Sequence, residues 1–396
     1  MIAANFTNRT ALSSLQKRWI LFALVSAAVL LGGYYFLSRN WSATYALRWA
    51  VFTAAILLYQ AWLLWNNLKE NHRLGEELLL PGLGLGNSFT LLRGVMFAAL
   101  TGFLFSPRPQ GMLVWIPAGL YTAGALMDYL DGFTARATNQ VTKLGEILDM
   151  SLDGWGVLVA STLAVQYAQA PAWYLLVGWA RYLFLVGLWL RARLHWPIYE
   201  LTPNVRRRSF AGLQMGFGFV ILWPVFTPPG TYHAAAIFSL PFLAGFLWDW
   251  LLVSGTISAG MGKLQHNVKE FALRWLPLGP RAAVVLLVAP ALAARWSGFE
   301  FQEVASGGFG TIGSKAWALT LAGLETLVAA GILAGAGGRI MAIAGLVVLG
   351  IHQIAAPLNG NQIVLVWIYG AVLYAGTGAF SAWKPEEHLI RQRAGE

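Results

Sequence analysis

Apolar residues fall in twelve long runs, at about 19–37, 44–66, 88–106, 111–131, 145–168, 172–194, 209–227, 231–254, 280–295, 316–334, 338–357 and 361–381. Short polar segments separate them. Most of the runs are long enough to cross a bilayer as helices; 280–295 is the shortest. Inside lipid the backbone must satisfy its own hydrogen bonds, and a helix does so within one segment. The pattern predicts an all-α integral membrane protein with about twelve transmembrane helices.

The polar segments divide the chain. Residues 1–67 read as a two-helix membrane extension, 68–255 as a six-helix core and 256–396 as a four-helix membrane domain. Residues 68–80 (LKENHRLGEELLL) read as an amphipathic segment in the interface, with an ordinary polar linker as the alternative. Lys and Arg fall mostly in alternate inter-helix segments. With the N-terminus cytoplasmic, 21 of the 27 lie on the cytoplasmic side, where loops of membrane proteins concentrate positive charge. Both termini are then expected inside, in the plasma membrane of a prokaryote. The polar N-terminus and long first run argue against a cleavable signal peptide.

Composition agrees with this. The chain is 57% hydrophobic and 11% charged, with 19 Trp. Its net charge of +10 is explained by the cytoplasmic loops and anionic lipid head groups, so nucleic acid is not expected as a partner. The chain has no cysteine, which excludes disulfides and thiol chemistry.

One polar stretch stands out at the edge of two apolar runs. DYLDGFTARATNQVTKLGEILDMSLD places Asp128 and Asp131 at i, i+3 and Asp149 and Asp153 at i, i+4. Each pair shares a helix face. Four carboxylates aimed at one point repel unless a cation joins them, and hard divalent ions prefer such oxygens. Two ions can hold the attacking and leaving oxygens of a phosphoryl displacement. Gly132 lets a ligand approach the backbone, and Ala135 keeps that face low. Arg136 can take a phosphate bidentately. Gly145 sits one turn before Asp149, where a side chain would crowd the site. Upstream, Asn87, Thr90 and Arg93 share one face of a helix start.

The spacing D-x2-D-G-x2-A-R-x8-G-x3-D-x3-D resembles the signature of the CDP-alcohol phosphotransferase (CDP-alcohol phosphatidyltransferase) family, over roughly residues 80–255. The resemblance implies a phospholipid-biosynthesis enzyme using Mg²⁺ or Mn²⁺, with two ions at Asp128, Asp131, Asp149 and Asp153. It implies transfer of a phosphatidyl group from CDP-diacylglycerol, or another CDP-linked alcohol, to a small polar acceptor, with CMP released. Asp153 is the general base in this reading. Asn87, Thr90, Arg93, Gly132, Ala135, Arg136 and Gly145 line the nucleotide site. Arg181, Arg206, Arg207 and Arg208 are candidates for an acceptor's phosphate, and a homodimer is expected. The Gln214-Met215 pair resembles a position that recurs in many members.

The last four runs resemble DoxX-like membrane proteins in layout. Glu325 and His352 in them read as helix–helix contacts, and Asp249 before them reads as a partner for an Arg rather than a catalytic group. Two other classes fit parts of the pattern: a twelve-helix transporter, and an inactive scaffold of the same family. The signature has no repeat in the second half, and the four intact Asp argue against a scaffold.

Overall fold

The structure, a computed structural model, describes residues 2–137, 141–201, 205–257, 275–296, 314–355 and 357–383. Among them are twelve α-helices: α1 (Ile2–Asn40), α2 (Ala43–Asn66), α3 (Gly84–Thr101), α4 (Trp115–Ala137), α5 (Lys143–Gln166), α6 (Leu175–Arg193), α7 (Val205–Ile221), α8 (Gly230–Val253), α9 (Leu278–Trp296), α10 (Ser314–Ala334), α11 (Gly338–Ala355) and α12 (Gly360–Ala375). The fold is all-α and of membrane type. Five segments are long and apolar enough to span a bilayer: Asn8–Asn40, Ala43–Asn66, Lys143–Gln166, Ala172–Arg193 and Gly230–Val253. Five more helices are apolar but shorter. The other two are α3 and α4, of which α4 carries Asp128 and Asp131.

Of the two readings of residues 68–80, the structure shows the polar linker and not an amphipathic helix. These residues hold a single 3-10 turn, Leu68–Glu70, and an antiparallel bridge between His72 and Leu79. Local polar bonds outcompete a helix here. The Asn71 side chain donates to the carbonyls of Leu80 at 3.0 Å and Gly82 at 2.9 Å, and Lys143 pairs with Glu70 at 2.9 Å.

The chain forms two compact units. One comprises Met1–Arg181 with Met215–Pro224, the other Tyr182–Gln214 with Val225–Glu396. In the second, α9 to α12 pack each on the next, and α9 also packs on α12. The core there includes Val284, Val328, Ile332, Ala342, Tyr369 and Val372. Glu325 meets His352 at 3.3 Å inside this unit, the helix–helix contact expected for both.

The first unit is built around α3, which packs against α2, α4 and α5. Its face toward α2 is small. A Cβ on Gly94 would stand 2.0 Å from the Gln60 amide, and Gln60 donates to the Leu91 carbonyl at 3.0 Å. Its face toward α4 and α5 carries Phe97, one turn after Arg93. A Cβ on Gly124 of α4 or Gly156 of α5 would lie 2.5 or 2.4 Å from the Phe97 ring. These two glycines let three helices close on one buried ring.

That packing reverses the sign of an ordinary substitution. Glycine to alanine inside an exposed helix stabilises by up to about 1 kcal/mol. Gly119→Ala, with nothing within 4 Å of its Cβ, should show this gain. Gly156→Ala should instead lose about 1–3 kcal/mol to overpacking, because Phe97 is only 3% exposed and stacks on Tyr121 with ring centroids 5.7 Å apart. Thermal unfolding of both variants, in one detergent, checks the opposite signs. A gain in both would mean that Phe97 moves aside freely.

Candidate active site

Three helices of the first unit bring their polar faces together. In α4, Gly124, Asp128 and Asp131 follow at i, i+4 and i+7, so the residue that admits Phe97 and the two carboxylates share a stripe. In α5, Gly145, Asp149 and Gly156 lie at i, i+4 and i+11 and likewise share a stripe. Helix α3 supplies Asn87, Thr90, Arg93 and Phe97.

Arg93 is the centre of this cluster and is fully buried. Its guanidinium Nη2 donates to Asp149 Oδ1 at 2.7 Å. Nη1 pairs with Asp128 Oδ1 and lies 3.7 Å from Asp131 Oδ2. Thr90 Oγ1 donates to the same Asp131 oxygen at 2.9 Å. One planar cation thus ties carboxylates from two helices to a third, which its forked geometry permits.

Asp128, Asp131 and Asp149 each offer an oxygen within 4.8 Å of the others. Two bonds of about 2.1 Å set opposite ligands of Mg²⁺ about 4.2 Å apart, so small side-chain rotations would close the set around such an ion. Three carboxylates against one guanidinium leave a formal charge of −2, the complement of a divalent cation. The donors are hard oxygens, as Mg²⁺ and Mn²⁺ require. The residues present therefore fit a divalent ion. Asp153 lies one turn further along α5, and its side chain is outside the described residues, as are those of Ala135 and Arg136.

Asn87 and Gly145 turn out to serve one another. Asn87 Nδ2 donates to Thr142 Oγ1 at 3.0 Å and lies 3.3 Å from Asn71 Oδ1. A Cβ on Gly145 would stand 2.5 Å from Asn87 Oδ1. Asn87, Thr90 and Arg93, expected at a nucleotide site, are placed by these bonds beside the start of α5 and the carboxylates. Their polar ends engage Asn71, Thr142 and the Asp cluster. Asn71 and Thr142 were not singled out from sequence. Thr142 carried a signal, a helix-capping residue directly before an apolar run. Asn71 carried none.

Arg181 donates from Nη2 to the Met150 carbonyl at 2.8 Å, beside Asp149 in sequence. The side chains of Arg206, Arg207 and Arg208 lie outside the described residues. Gln214 is buried and accepts from Ser239 at 3.2 Å.

Fold and site together define an all-α membrane protein with a cluster of three carboxylates around the buried Arg93 on a three-helix core. Residues 83–251 match the family model of CDP-alcohol phosphatidyltransferases. The chain is 32% identical over 115 residues to the CDP-diacylglycerol–glycerol-3-phosphate 3-phosphatidyltransferase of Bacillus subtilis (strain 168), covering 26% of this chain and 59% of that protein. It is 40% identical over 76 residues to the CDP-diacylglycerol–inositol 3-phosphatidyltransferase of Saccharomyces cerevisiae, covering 19% of this chain and 32% of that protein. The chain thus spans less than two thirds of the length of either relative. No solved structure matches it.

Proposed function

We propose that this protein transfers a phosphatidyl group from CDP-diacylglycerol to a small polar alcohol, with release of CMP, at the cytoplasmic face of the membrane. The observation that carries this reading is the arrangement of Asp128, Asp131 and Asp149 on two helices, gathered by Arg93 inside the family-matched segment.

In the reaction the acceptor hydroxyl attacks the phosphorus that bears the diacylglycerol. The bond from that phosphorus to the CMP oxygen breaks. Asp128, Asp131 and Asp149 would hold Mg²⁺ or Mn²⁺, whose chemistry is to neutralise the diphosphate and stabilise the leaving CMP. Asp153 takes the hydroxyl proton, a role that requires hydrogen-bond reach of the acceptor. Gly132 and Ala135 leave room for the nucleotide on the last turn of α4, and Arg136 holds its phosphates. Arg93 keeps the carboxylates in register rather than touching substrate.

The relatives' names give one phosphorylated acceptor, glycerol 3-phosphate, and one unphosphorylated, inositol. Arg181 favours the phosphorylated kind, because it adds a cation at Met150 of α5, one residue after Asp149. The test is CMP release by purified protein with CDP-diacylglycerol and Mg²⁺ against a panel of acceptors. Release should require one phosphorylated alcohol, and Arg181→Ala should raise its KM about tenfold or more, the loss of one charged hydrogen bond. Release with an unphosphorylated alcohol and an unchanged KM in Arg181→Ala would overturn the acceptor assignment. No release with any acceptor would overturn the reaction.

A further inference from the structure

Three buried amide and hydroxyl side chains link the loop before α3 to the start of α5. Asn71 is fully buried, Asn87 is 5% exposed and Thr142 is 2% exposed. Asn71 closes the 71–82 loop through its two carbonyl bonds and a backbone bond from Leu80 N to its own carbonyl at 2.9 Å. It presents Oδ1 to Asn87, which donates to Thr142 Oγ1. Thr142 Oγ1 also accepts from Gly145 N at 3.1 Å and so caps α5. Gly145 is one turn before Asp149.

We infer that Asn71, Asn87 and Thr142 form a latch that fixes the axial position of α5, and with it Asp149 against Asp128 and Asp131; this rests on the proposed reaction. They are positioning residues, since none touches the carboxylates directly. A helix is stiff along its axis, and α5 rises about 1.5 Å per residue. A slip at Thr142 therefore reaches Asp149 undiminished. Misplacement of a reacting group by about 1 Å can cost about a hundredfold in rate.

The surroundings make the latch specific. Its neighbours are apolar: Leu144 and Leu148 sit in a fully buried leucine cluster with Leu15, Leu64 and Leu68. Such contacts tolerate sliding, whereas hydrogen bonds fix distance and direction. Between this loop and the start of α5 run, among the described residues, further polar ties from Lys143 N to the His72 carbonyl at 3.1 Å and from Lys143 to Glu70, together with the bridge between Arg73 and Thr142; beyond the loop, Arg93 holds Asp149 itself. The first unit's N-terminal hairpin joins in through Asn8, whose Oδ1 accepts from Leu79 N at 3.1 Å. The loop between α2 and α3 is thus a brace for the catalytic helix rather than a passive connection.

The test uses full-length protein in detergent and the variants Thr142→Val, Thr142→Ser and Asn71→Ala. Amide exchange over residues 143–150 is followed by mass spectrometry without added metal. Mn²⁺ binding is followed by the paramagnetic signal of the free ion, and CMP release gives kcat and KM. Thr142→Val and Asn71→Ala should each speed exchange in α5's first two turns and weaken Mn²⁺ binding, both about tenfold, as expected for a lost cap bond. Their kcat should fall while the donor KM changes by less than roughly threefold. Thr142→Ser keeps the oxygen and should restore all readouts. Wild-type exchange and Mn²⁺ binding in both Thr142→Val and Asn71→Ala would overturn the latch. A wild type that neither binds Mn²⁺ nor releases CMP would defeat the proposed reaction instead. The exchange data alone then decide whether the latch fixes α5.

Discussion

Arg93→Met is expected to lose about 1–3 kcal/mol of stability in EDTA, because it leaves the buried Asp131 without its cation while solvent screens the part-exposed Asp128 and Asp149. Methionine fills similar space on α3, so the loss is electrostatic rather than a cavity. Asp128, Asp131 and Asp149 would face one another without the guanidinium that now touches all three. Their repulsion pushes α4 and α5 away from α3. Millimolar Mg²⁺ should recover part of the loss, because a cation that binds only the folded cluster stabilises it by mass action. Arg93→Lys should fall between, since one ammonium cannot span three carboxylates. Thermal unfolding with EDTA and with Mg²⁺ measures both effects. An unchanged unfolding temperature in EDTA would mean that Arg93 contributes nothing to cohesion.

Much of this arrangement was legible in the residues. Run length alone gave twelve helices, because a membrane core leaves the backbone few other options. Periodicity placed Asp128 with Asp131, and Asp149 with Asp153, on common faces. It also put Asn87, Thr90 and Arg93 on one face of α3. Periodicity names a face but not what it meets. Arg93 read as a nucleotide contact because an arginine in an apolar run invites a ligand, and the carboxylates that satisfy it lie 35 or more residues away in sequence. Gly124 and Gly156 were passed over for a similar reason. A glycine in a helix marks close approach only when the opposing ring is known, and Phe97 looks like any core aromatic. Residues 68–80 carried an amphipathic pattern, yet Asn71 competes for the backbone there and only the 3-10 turn Leu68–Glu70 forms. Boundaries shifted too. The third run begins at Gly84 in the structure, and the last helix stops at Ala375, where Gly376 takes a φ of 77°.

Asp149→Asn and Asp153→Asn should separate two roles that sequence spacing alone assigns to the same cluster. Both substitutions preserve shape and remove a charge. Asp149 lies within the oxygen cluster and receives Arg93 at 2.7 Å. With asparagine there, the formal charge of the three-Asp set falls from −2 to −1, and a divalent ion loses both a strong ligand and its charge complement. CMP release should drop about 10²–10³-fold, the range for deleting one preorganised electrostatic group. Mn²⁺ binding should weaken in parallel. Asp153→Asn should lower kcat about 10²–10⁴-fold, the usual contribution of a general base, while Mn²⁺ binding stays within roughly threefold of wild type, since an acceptor-side carboxylate acts on the proton and not on the ion. The two readouts together discriminate. Parallel loss of Mn²⁺ binding in both variants would make Asp153 a fourth ligand and send the search for the base to another group. Retained Mn²⁺ binding in Asp149→Asn would remove Asp149 from the metal set and leave its pairing with Arg93 as its whole function.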